Sequence, residues 1–253
     1  MSQILVLDIG NSDAVLAVFE HNTLQTSHRW NSKANDSLEK VSIQMANLDD
    51  MDLSKAHKVV ISSVVPHLNA IYLAYFEVHT RANIILVNPA DQTFIKIGTA
   101  NPEQLGPDLY INALMAHQLF PQHNAVVIDF GTALTFTAVS AAGELLGVSI
   151  VPGIRTAIKA LFENASMLPE VKLAKPATVI GRDTVTAIQA GIVYGYEGLL
   201  LNIMEKLRTE LGSDTKFIAT GGLSVFADMF SVKFDLVNKN LTLEGLNYYG
   251  GLV

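Results

Sequence analysis

Two stretches of the sequence decide the fold: Ile4-Leu-Val-Leu-Asp-Ile-Gly-Asn-Ser12 and Ala125-Val-Val-Ile-Asp-Phe-Gly-Thr132. Each stretch begins as an apolar run rich in strand formers and changes to Asp-x-Gly with a small polar residue, which is the chemistry of a turn. A second strand-like run follows each turn, at residues 14–19 and 135–139. Each stretch therefore predicts a β-hairpin with a polar tip.

The two hairpins are related by a repeat of about half the chain length. Asp129 follows Asp8 by 121 positions in a chain of 253 residues. A repeat this long indicates a duplicated domain, because the units of solenoid proteins are roughly 20–50 residues long. We therefore expect two similar α/β halves, residues 1–122 and 123–253, which divide at the turn residues near 121–124.

Shorter patterns predict the other elements of both halves. Apolar runs bounded by turn residues predict strands at 59–65, 84–87 and 217–220. Apolar residues at helical spacing predict a helix after Pro107, a helix from Ile154 to Leu168, and a long helix from Thr186 to Leu211. The long helix carries Gly191, Gly195 and Gly198, which predict close packing against another helix, within the chain or across a dimer.

The composition excludes several classes of protein. Hydrophobic residues make up 49% of the chain and charged residues 16%, which excludes intrinsic disorder. There is no Cys, so a disulfide framework, a thiolate nucleophile and a Cys-ligated zinc or iron–sulfur centre are excluded. The formal net charge is −7, and no cluster of Lys and Arg is present, which argues against a nucleic-acid partner.

The sequence also lacks the signals of membrane association and export. No apolar run reaches the roughly 18–20 residues that span a bilayer, and the residues from Met1 to Ile4 lack the basic-then-apolar layout of a signal peptide. We therefore expect a cytoplasmic location and no membrane partner.

The two tips carry groups that suit a nucleotide. Phosphate can be bound by Gly10, Asn11 and Ser12 at the first tip and by Gly131 and Thr132 at the second. Glycine lets the backbone approach a phosphate closely, and the backbone N–H groups, hydroxyls and amide supply donors. Asp8 suits a hydrated Mg²⁺, which needs only one or two carboxylates. One such tip alone is a common turn, but two matching tips predict two phosphate grips on one nucleotide.

A corner of small residues follows the last predicted strand. Gly221 and Gly222 come directly after Thr220 and carry no side chain that would block a flat adenine or an approaching helix. A helix cap or a tight turn is the alternative interpretation. The position of the corner after both tips favours nucleotide binding.

Asp108 opens the helix that is predicted after Pro107. A carboxylate in the first turn complements the helix dipole, which is the structural interpretation of this residue. It can also accept the proton of a substrate hydroxyl during phosphoryl transfer. The dipole would keep the carboxyl ionised, as that role requires.

Nine motifs, taken in chain order, closely resemble those of type III pantothenate kinase. They are Asp-Ile-Gly-Asn-Ser at 8–12, Ser-Ser-Val-Val-Pro at 62–66, Asn-Pro-x-x-x-Gly-Pro-Asp at 101–108, Asp-Phe-Gly-Thr-Ala at 129–133, Ile-Val-Pro-Gly-Ile at 150–154, Ala-x-x-Leu-Pro at 165–169, Gly-Arg-Asp-Thr at 181–184, Ala-Ile-Gln-Ala-Gly at 187–191 and Thr-Gly-Gly at 220–222. The resemblance covers essentially the whole chain.

The resemblance implies the fold of the acetate and sugar kinase, Hsp70 and actin superfamily. In that α/β fold, two duplicated ribonuclease-H-like domains hold ATP in a cleft between them. The implied activity is the phosphorylation of pantothenate by ATP to 4'-phosphopantothenate, the first step of coenzyme A biosynthesis. The implied cofactors are Mg²⁺ and a monovalent cation, K⁺ or NH₄⁺, and the implied assembly is a homodimer.

The resemblance also assigns roles to individual residues. The first phosphate loop would contain Asp8, Gly10, Asn11 and Ser12, with Asp8 near Mg²⁺ through water, and the second would contain Gly131 and Thr132. The nucleotide corner would be formed by Gly221 and Gly222, and the monovalent cation would lie at Asp129. The base would be Asp108, and pantothenate would contact Gly106 and Thr184.

The sequence departs from the family pattern at the acceptor end. Leu109 stands where the family has an Arg after the catalytic Asp, and Thr99 stands where a Tyr is usual. Arg binds a carboxylate through two charged hydrogen bonds, and Leu cannot. The sequence leaves open which residue holds the carboxylate of the acceptor, and Arg155 and Arg182 are candidates.

These departures keep two alternative functions open. One is a kinase of another small hydroxy acid, and the other is a regulatory homologue that binds a nucleotide without catalysis. The three carboxylates Asp8, Asp108 and Asp129 favour an enzyme, because a regulator would have little physical need for them.

Overall fold

The computed structural model describes residues 3–33, 36–48, 51–91, 94–165 and 168–253. The first two residues, which entered the expectation about a signal peptide, lie outside these ranges. The chain packs into two compact units. The first runs to Met115 and includes Asn240–Val253, and the second is Ala116–Lys239.

The first unit contains a five-stranded mixed sheet in the order β3-β2-β1-β4-β5. Its strands are β1 (Gln3–Ile9), β2 (Asp13–Glu20), β3 (Thr23–Asn31), β4 (Ala56–Ser63) and β5 (Asn83–Leu86). Strands β1, β2 and β3 form an antiparallel meander, whereas β4 is parallel to β1 and β5 is parallel to β4. The predicted hairpin and the two predicted strands of this half are confirmed.

The helices of the first unit all come after β3 in the chain. They are α1 (Leu38–Ala46), α2 (Pro66–His79), α3 (Pro107–Leu119), in which the division between the units falls, and α6 (Leu241–Leu252). The helix predicted after Pro107 is thereby confirmed. The connections contain short 3₁₀ turns at Leu53–Lys55, Pro89–Asp91 and Pro102–Gln104 and the two-residue strand β6 (Lys96–Ile97).

One face of the first sheet packs against α1 and α2. Leu7 of β1 and Ile61 of β4 are fully buried in one cluster with Val41 of α1 and Phe76 of α2. Burial of each such side chain stabilises the fold by roughly 1.5–3 kcal/mol. This core fixes β1 beside β4, so the polar residues near their carboxyl ends also lie side by side.

The last helix packs on the opposite face of the first sheet. Gly250 of α6 lies so close to β4 that a Cβ there would be 2.8 Å from Val60 Cγ2, and Lys58 Nζ donates to the Gly250 carbonyl at 2.6 Å. The predicted halves, 1–122 and 123–253, therefore differ from the observed units. The second unit begins at Ala116 and ends at Lys239. The C-terminal segment belongs with the first unit because α6 buries its apolar side on β1 and β4.

The strands of the second unit follow the same order as those of the first, β9-β8-β7-β10-β11. They are β7 (Ala125–Phe130), β8 (Ala133–Val139), β9 (Glu144–Pro152), β10 (Lys216–Thr220) and β11 (Leu236–Val237). Strands β7, β8 and β9 form an antiparallel meander, and β10 is parallel to both β7 and β11. The same order and directions in both units confirm the predicted duplication of a ribonuclease-H-like sheet.

The helices of the second unit begin and end differently from the prediction. Helix α4 is Ile154–Asn164, α5 is Thr184–Leu211, and a 3₁₀ segment covers Ser224–Met229. The predicted extension of α4 to Leu168 is wrong, because the backbone of Ala165 is already extended. Helix α5 begins two residues before the predicted Thr186, because Asp183 caps it by accepting a hydrogen bond from the Thr186 N–H at 2.9 Å.

The glycines of α5 do not pack against another helix of the described chain. A Cβ built at Gly191, Gly195 or Gly198 would meet nothing within 4 Å. Other residues of α5, including Tyr196 and Leu200, pack in the core of the second unit instead. Close packing within the chain is therefore a wrong prediction for these glycines, and contact across a dimer stays a prediction.

No helix in the described part of the chain is both long enough and apolar enough to cross a membrane.

Candidate functional site

The first tip is a tight turn between β1 and β2. The Gly10 N–H donates to the Asp13 carbonyl at 2.8 Å, which closes the turn, and Asn11 and Ser12 are exposed at its end. Asp8 lies two residues before Gly10, on β1. The tip thus presents an amide and a hydroxyl to solvent, with a carboxylate behind them.

The carboxylate of Asp8 is held by a residue of the neighbouring strand. Asp8 is paired in register with Ser62 of β4, and the Ser62 hydroxyl donates to Asp8 Oδ1 at 3.0 Å. Ser62 is fully buried. No local pattern in the sequence marks Ser62, since only the register of β1 and β4 shows that it faces Asp8.

The start of α3 carries Asp108 to the same edge of the first sheet. A Cβ at Gly106 would overlap with Asp108 Oδ1 and would lie 3.6 Å from Val64 Cγ1. Val64 follows β4 directly, and its N–H donates to the Ile9 carbonyl at 3.0 Å. The segment that contains Gly106 and Asp108 therefore packs at the carboxyl ends of β1 and β4, where Asp8 also lies.

The electrostatics of Asp108 differ from the expectation. Asp108 Oδ1 is buried and has no hydrogen-bond partner. Burial raises the pKa of the Asp108 carboxyl above its usual value, and the backbone amides of Leu109 and Asp108 offset only part of that rise. Desolvation thus opposes the ionised form of this carboxyl, which the helix dipole was expected to favour. A raised pKa makes Asp108 a stronger base once it is ionised.

The second tip is held by the start of α4. Its exposed end is Thr132, whose carbonyl accepts hydrogen bonds from the Gly153 N–H at 3.0 Å and from the Thr156 hydroxyl at 2.7 Å. A Cβ at Gly153 would overlap with the carbonyls of Gly131 and Thr132. Gly153 thus allows the closest approach of α4 to the tip, a role that its place in the sequence did not reveal.

The glycine corner packs on the other side of the second tip. Gly221 has φ +87°, and a Cβ there would overlap with Asp129 Oδ1 and come within 2.9 Å of the Phe130 backbone. Only glycine fits this position without strain. Gly222 is exposed, and a Cβ there would meet nothing within 4 Å. The corner therefore lies against Asp129, and just one of its two glycines is needed for this packing.

A cavity of about 820 Å³ opens in the second unit next to these segments. Its walls are apolar side chains of α4, of the loop before α5 and of the segment after Gly222, together with four charged residues, Arg155, Lys159, Glu170 and Lys172. Ile154, which follows Gly153, and Leu223, which follows Gly222, both line it. The cavity is therefore bounded by the two segments that hold the second tip. Arg155, a candidate for binding the acceptor carboxylate, is one of the lining residues.

The predicted acceptor residues are divided between the two units. Thr184 is the exposed first residue of α5 in the second unit, whereas Gly106 belongs to the first. In the first unit, Thr99 Oγ1 is buried without a hydrogen-bond partner. Leu109 is half-buried directly after Asp108 and brings no charge to this segment.

Within the described ranges, no three side chains of His, Asp or Glu come together as a metal site.

Comparison with known proteins identifies relatives along nearly the whole chain. A family model described as "Type III pantothenate kinase" matches residues 4–206. The type III pantothenate kinase of Desulfosudis oleivorans is 40% identical over 251 residues, which is 98% of each chain. That of Myxococcus xanthus is also 40% identical, over 256 residues and 98% of each chain.

Solved structures with low sequence identity share the fold. The inorganic polyphosphate/ATP-glucomannokinase of an Arthrobacter strain has a TM-score of 0.55 at 15% identity, over 100% of this chain and 99% of that one. MreB 5 of Spiroplasma citri, solved with bound AMPPNP, has a TM-score of 0.52 at 12% identity, over 100% and 97% of the two chains. The two units thus have the actin-like ATPase fold.

Proposed function

The chain belongs to the type III pantothenate kinase family, and from that premise we propose which of its residues carry the reaction. The protein is a kinase that phosphorylates pantothenate with ATP to 4'-phosphopantothenate, the first step of coenzyme A biosynthesis. Its substrates are pantothenate and ATP, and its cofactor is a divalent metal ion.

Asp108 is the general base of this reaction. Its buried carboxylate oxygen without a hydrogen-bond partner is the observation that carries the assignment, because a base needs an acceptor that no other donor occupies. The raised pKa matches a group that takes a proton from the primary hydroxyl of pantothenate as that oxygen attacks the γ-phosphorus of ATP. Gly106 lets the backbone pass close to this carboxylate, where a side chain would cover it.

The first tip binds phosphate and positions the divalent metal. Asp8 is a single carboxylate near the carboxyl end of β1, which suits a hydrated Mg²⁺. The donors for phosphate oxygens come from Gly10, Asn11 and Ser12. Bound Mg²⁺ neutralises charge that develops on the transferred phosphoryl group. Asp8 and Asp108 both lie at the carboxyl ends of β1 and β4, which supports a shared role of the two carboxylates in one reaction.

The second tip and the cavity bind the rest of the nucleotide. Gly131 and Thr132 donate to phosphate, Gly221 and Gly222 form the nucleotide corner, and Asp129 binds the monovalent cation, K⁺ or NH₄⁺. The apolar walls of the cavity suit a flat nucleobase, since they offer area for stacking without fixed donors or acceptors. The nucleotide analogue bound to MreB 5, which shares the fold, supports nucleotide binding here.

The acceptor carboxylate needs a cation that Leu109 does not supply. We assign Thr184 to the acceptor and keep Arg155 and Arg182 as candidates for the carboxylate contact, because both are exposed near the start of a helix in the second unit. The open glycine face of α5 supports a homodimer through this helix. A cytoplasmic location completes the proposal.

The test is an assay of ADP release with a panel of small hydroxy acids that includes pantothenate, with and without K⁺. Release that depends on pantothenate and is stimulated by K⁺ is expected. Release only with a different hydroxy acid would refute pantothenate as the acceptor, and release that is independent of K⁺ and NH₄⁺ would refute the monovalent cation site. ATP binding without release in the presence of every acceptor would identify a regulator.

A further inference from the structure

The two units place a buried hydroxyl opposite the Asp of each tip. In the first unit Asp8 is in register with Ser62 of the neighbouring parallel strand, and in the second Asp129 is in register with Thr220. Ser62 and Thr220 are both fully buried. Residues in register on neighbouring parallel strands point to the same face of the sheet, so each hydroxyl lies beside its carboxylate.

The two hydroxyls differ in their hydrogen bonding. Ser62 donates to Asp8 Oδ1 at 3.0 Å, whereas Thr220 Oγ1 has no hydrogen-bond partner. In the second unit the carboxylate of Asp129 lies against the backbone of Gly221 instead. The duplicated sheet therefore places each hydroxyl in register with the Asp of its tip. Of these two pairs, only the one at the tip assigned to the divalent metal, Ser62 and Asp8, forms a hydrogen bond between hydroxyl and carboxylate.

The neighbouring serine does not share this arrangement. Ser63 Oγ donates to the Val65 carbonyl at 3.3 Å and accepts from the Val65 N–H at 3.1 Å, so it stabilises the turn that leads into α2. Consecutive residues of a strand point to opposite faces of the sheet. Ser62 and Ser63 thus have the same chemistry on the same strand, but only Ser62 contacts Asp8.

We propose that Ser62 is a positioning residue for the divalent metal: its hydrogen bond fixes the orientation of the Asp8 carboxylate that holds the hydrated ion. The inference rests on the proposed role of Asp8. Ser62 acts through Asp8, to which it donates a hydrogen bond. A hydrogen bond to a ligating carboxylate restricts its rotation, and removal of such outer partners typically weakens metal affinity by about 10- to 100-fold.

The experiment measures metal binding directly, apart from turnover. Mn²⁺ replaces Mg²⁺ as the probe, and its binding to the protein with saturating ADP is followed by electron paramagnetic resonance. Ser62→Ala is expected to raise the Mn²⁺ dissociation constant by about 10- to 100-fold. In the kinase assay the same variant should need more Mg²⁺ for half-maximal rate, while the pantothenate KM stays unchanged.

Ser63→Ala is the matched control, because it removes a hydroxyl from the same strand without touching Asp8. It should leave the Mn²⁺ dissociation constant unchanged, even if its melting temperature falls. Ser62→Thr keeps the hydroxyl and should bind Mn²⁺ far more tightly than Ser62→Ala. Equal Mn²⁺ affinity in Ser62→Ala and Ser63→Ala would overturn the proposal.

Ser62 is fully buried, so Ser62→Ala can also destabilise the fold. Ser62→Cys fills the same space with a much weaker donor and tests the hydrogen bond with little change of packing. Failure of both variants to fold would overturn the positioning role, since Ser62 would then be a structural residue. Failure of the proposed function has a different signature, because the wild-type protein would then bind Mn²⁺ and ADP without pantothenate-dependent turnover.

Discussion

Substitution of Asp108 by Asn separates the activity of this protein from its stability. The change replaces one carboxylate oxygen by an amide nitrogen and hardly alters the volume of the side chain. Loss of a general base typically slows a reaction by about 10²–10⁴-fold, which corresponds to roughly 3–5 kcal/mol in the activation free energy. We expect kcat to fall by that factor, whereas ATP affinity persists because both tips are unchanged.

The stability of the same variant should change in the opposite direction. Burial raises the pKa of the Asp108 carboxyl above its value in the unfolded chain. The folded state therefore binds the proton more tightly, and stability falls as the pH rises from the unfolded pKa through the folded one. Above that window the folded protein contains a buried charge that Asn does not have. Asp108→Asn should therefore melt at a higher temperature than the wild type at neutral pH, and the difference should disappear below the unfolded pKa.

Two measurements check this pair of effects. One is steady-state ADP release, and the other is thermal unfolding from about pH 3 to neutral pH, a range that begins below the usual pKa of Asp. Glu103→Gln is the control, because Glu103 is an exposed carboxylate of the 3₁₀ turn just before α3. It should change neither quantity. Full pantothenate-dependent activity in Asp108→Asn would refute the assignment of the base. A melting temperature below that of the wild type at neutral pH would refute the reasoning about its buried charge.

Three further substitutions test other parts of the molecule. Gly221→Ala should lower the free energy of unfolding in denaturant by about 1–3 kcal/mol and weaken ATP binding, because it strains a positive φ and displaces Asp129. The adjacent Gly222→Ala is the control and should do neither. Equal effects of the two substitutions would contradict the packing described. Leu109→Arg should lower the pantothenate KM about tenfold, since a charged hydrogen bond contributes roughly 1.5–3 kcal/mol, and an unchanged KM would show that another Arg already binds the carboxylate. Gly195→Leu should leave a folded monomer, because its Cβ meets nothing in the chain, but shift the mass in light scattering from dimer to monomer; an intact dimer would exclude Gly195 from the contact.

The sequence by itself determined the parts of the fold that depend on neighbouring residues. The strands on both sides of each tip, the turns with Asp-x-Gly and the repeat at half the chain length are all present as local patterns. A buried strand next to a turn needs apolar residues and then glycine and polar residues, whatever the rest of the chain does. For this reason both hairpins and the parallel strands predicted beside them are found where the sequence placed them.

Element ends and distant contacts depended on tertiary structure. Apolar spacing continues past Asn164, but α4 ends there, because periodicity does not fix where a helix stops. Helix α6 returns to the first unit because its small and apolar residues fit the face of β1 and β4, and Lys58 and Gly250 in this contact are 192 residues apart. No local pattern contains such information.

In the candidate site, too, the sequence determined some features and the tertiary structure the others. The sequence identified Asp8, Asp108 and Asp129 by their turns and motifs, but the hydrogen bond from Ser62 follows from strand register alone. The sign of the pKa shift at Asp108 also came from the packed structure, since the helix dipole is visible in the sequence whereas desolvation is not. Propensity and turn chemistry act over a few residues, but burial and register arise only when distant segments of the chain meet, so the folded structure alone decides them.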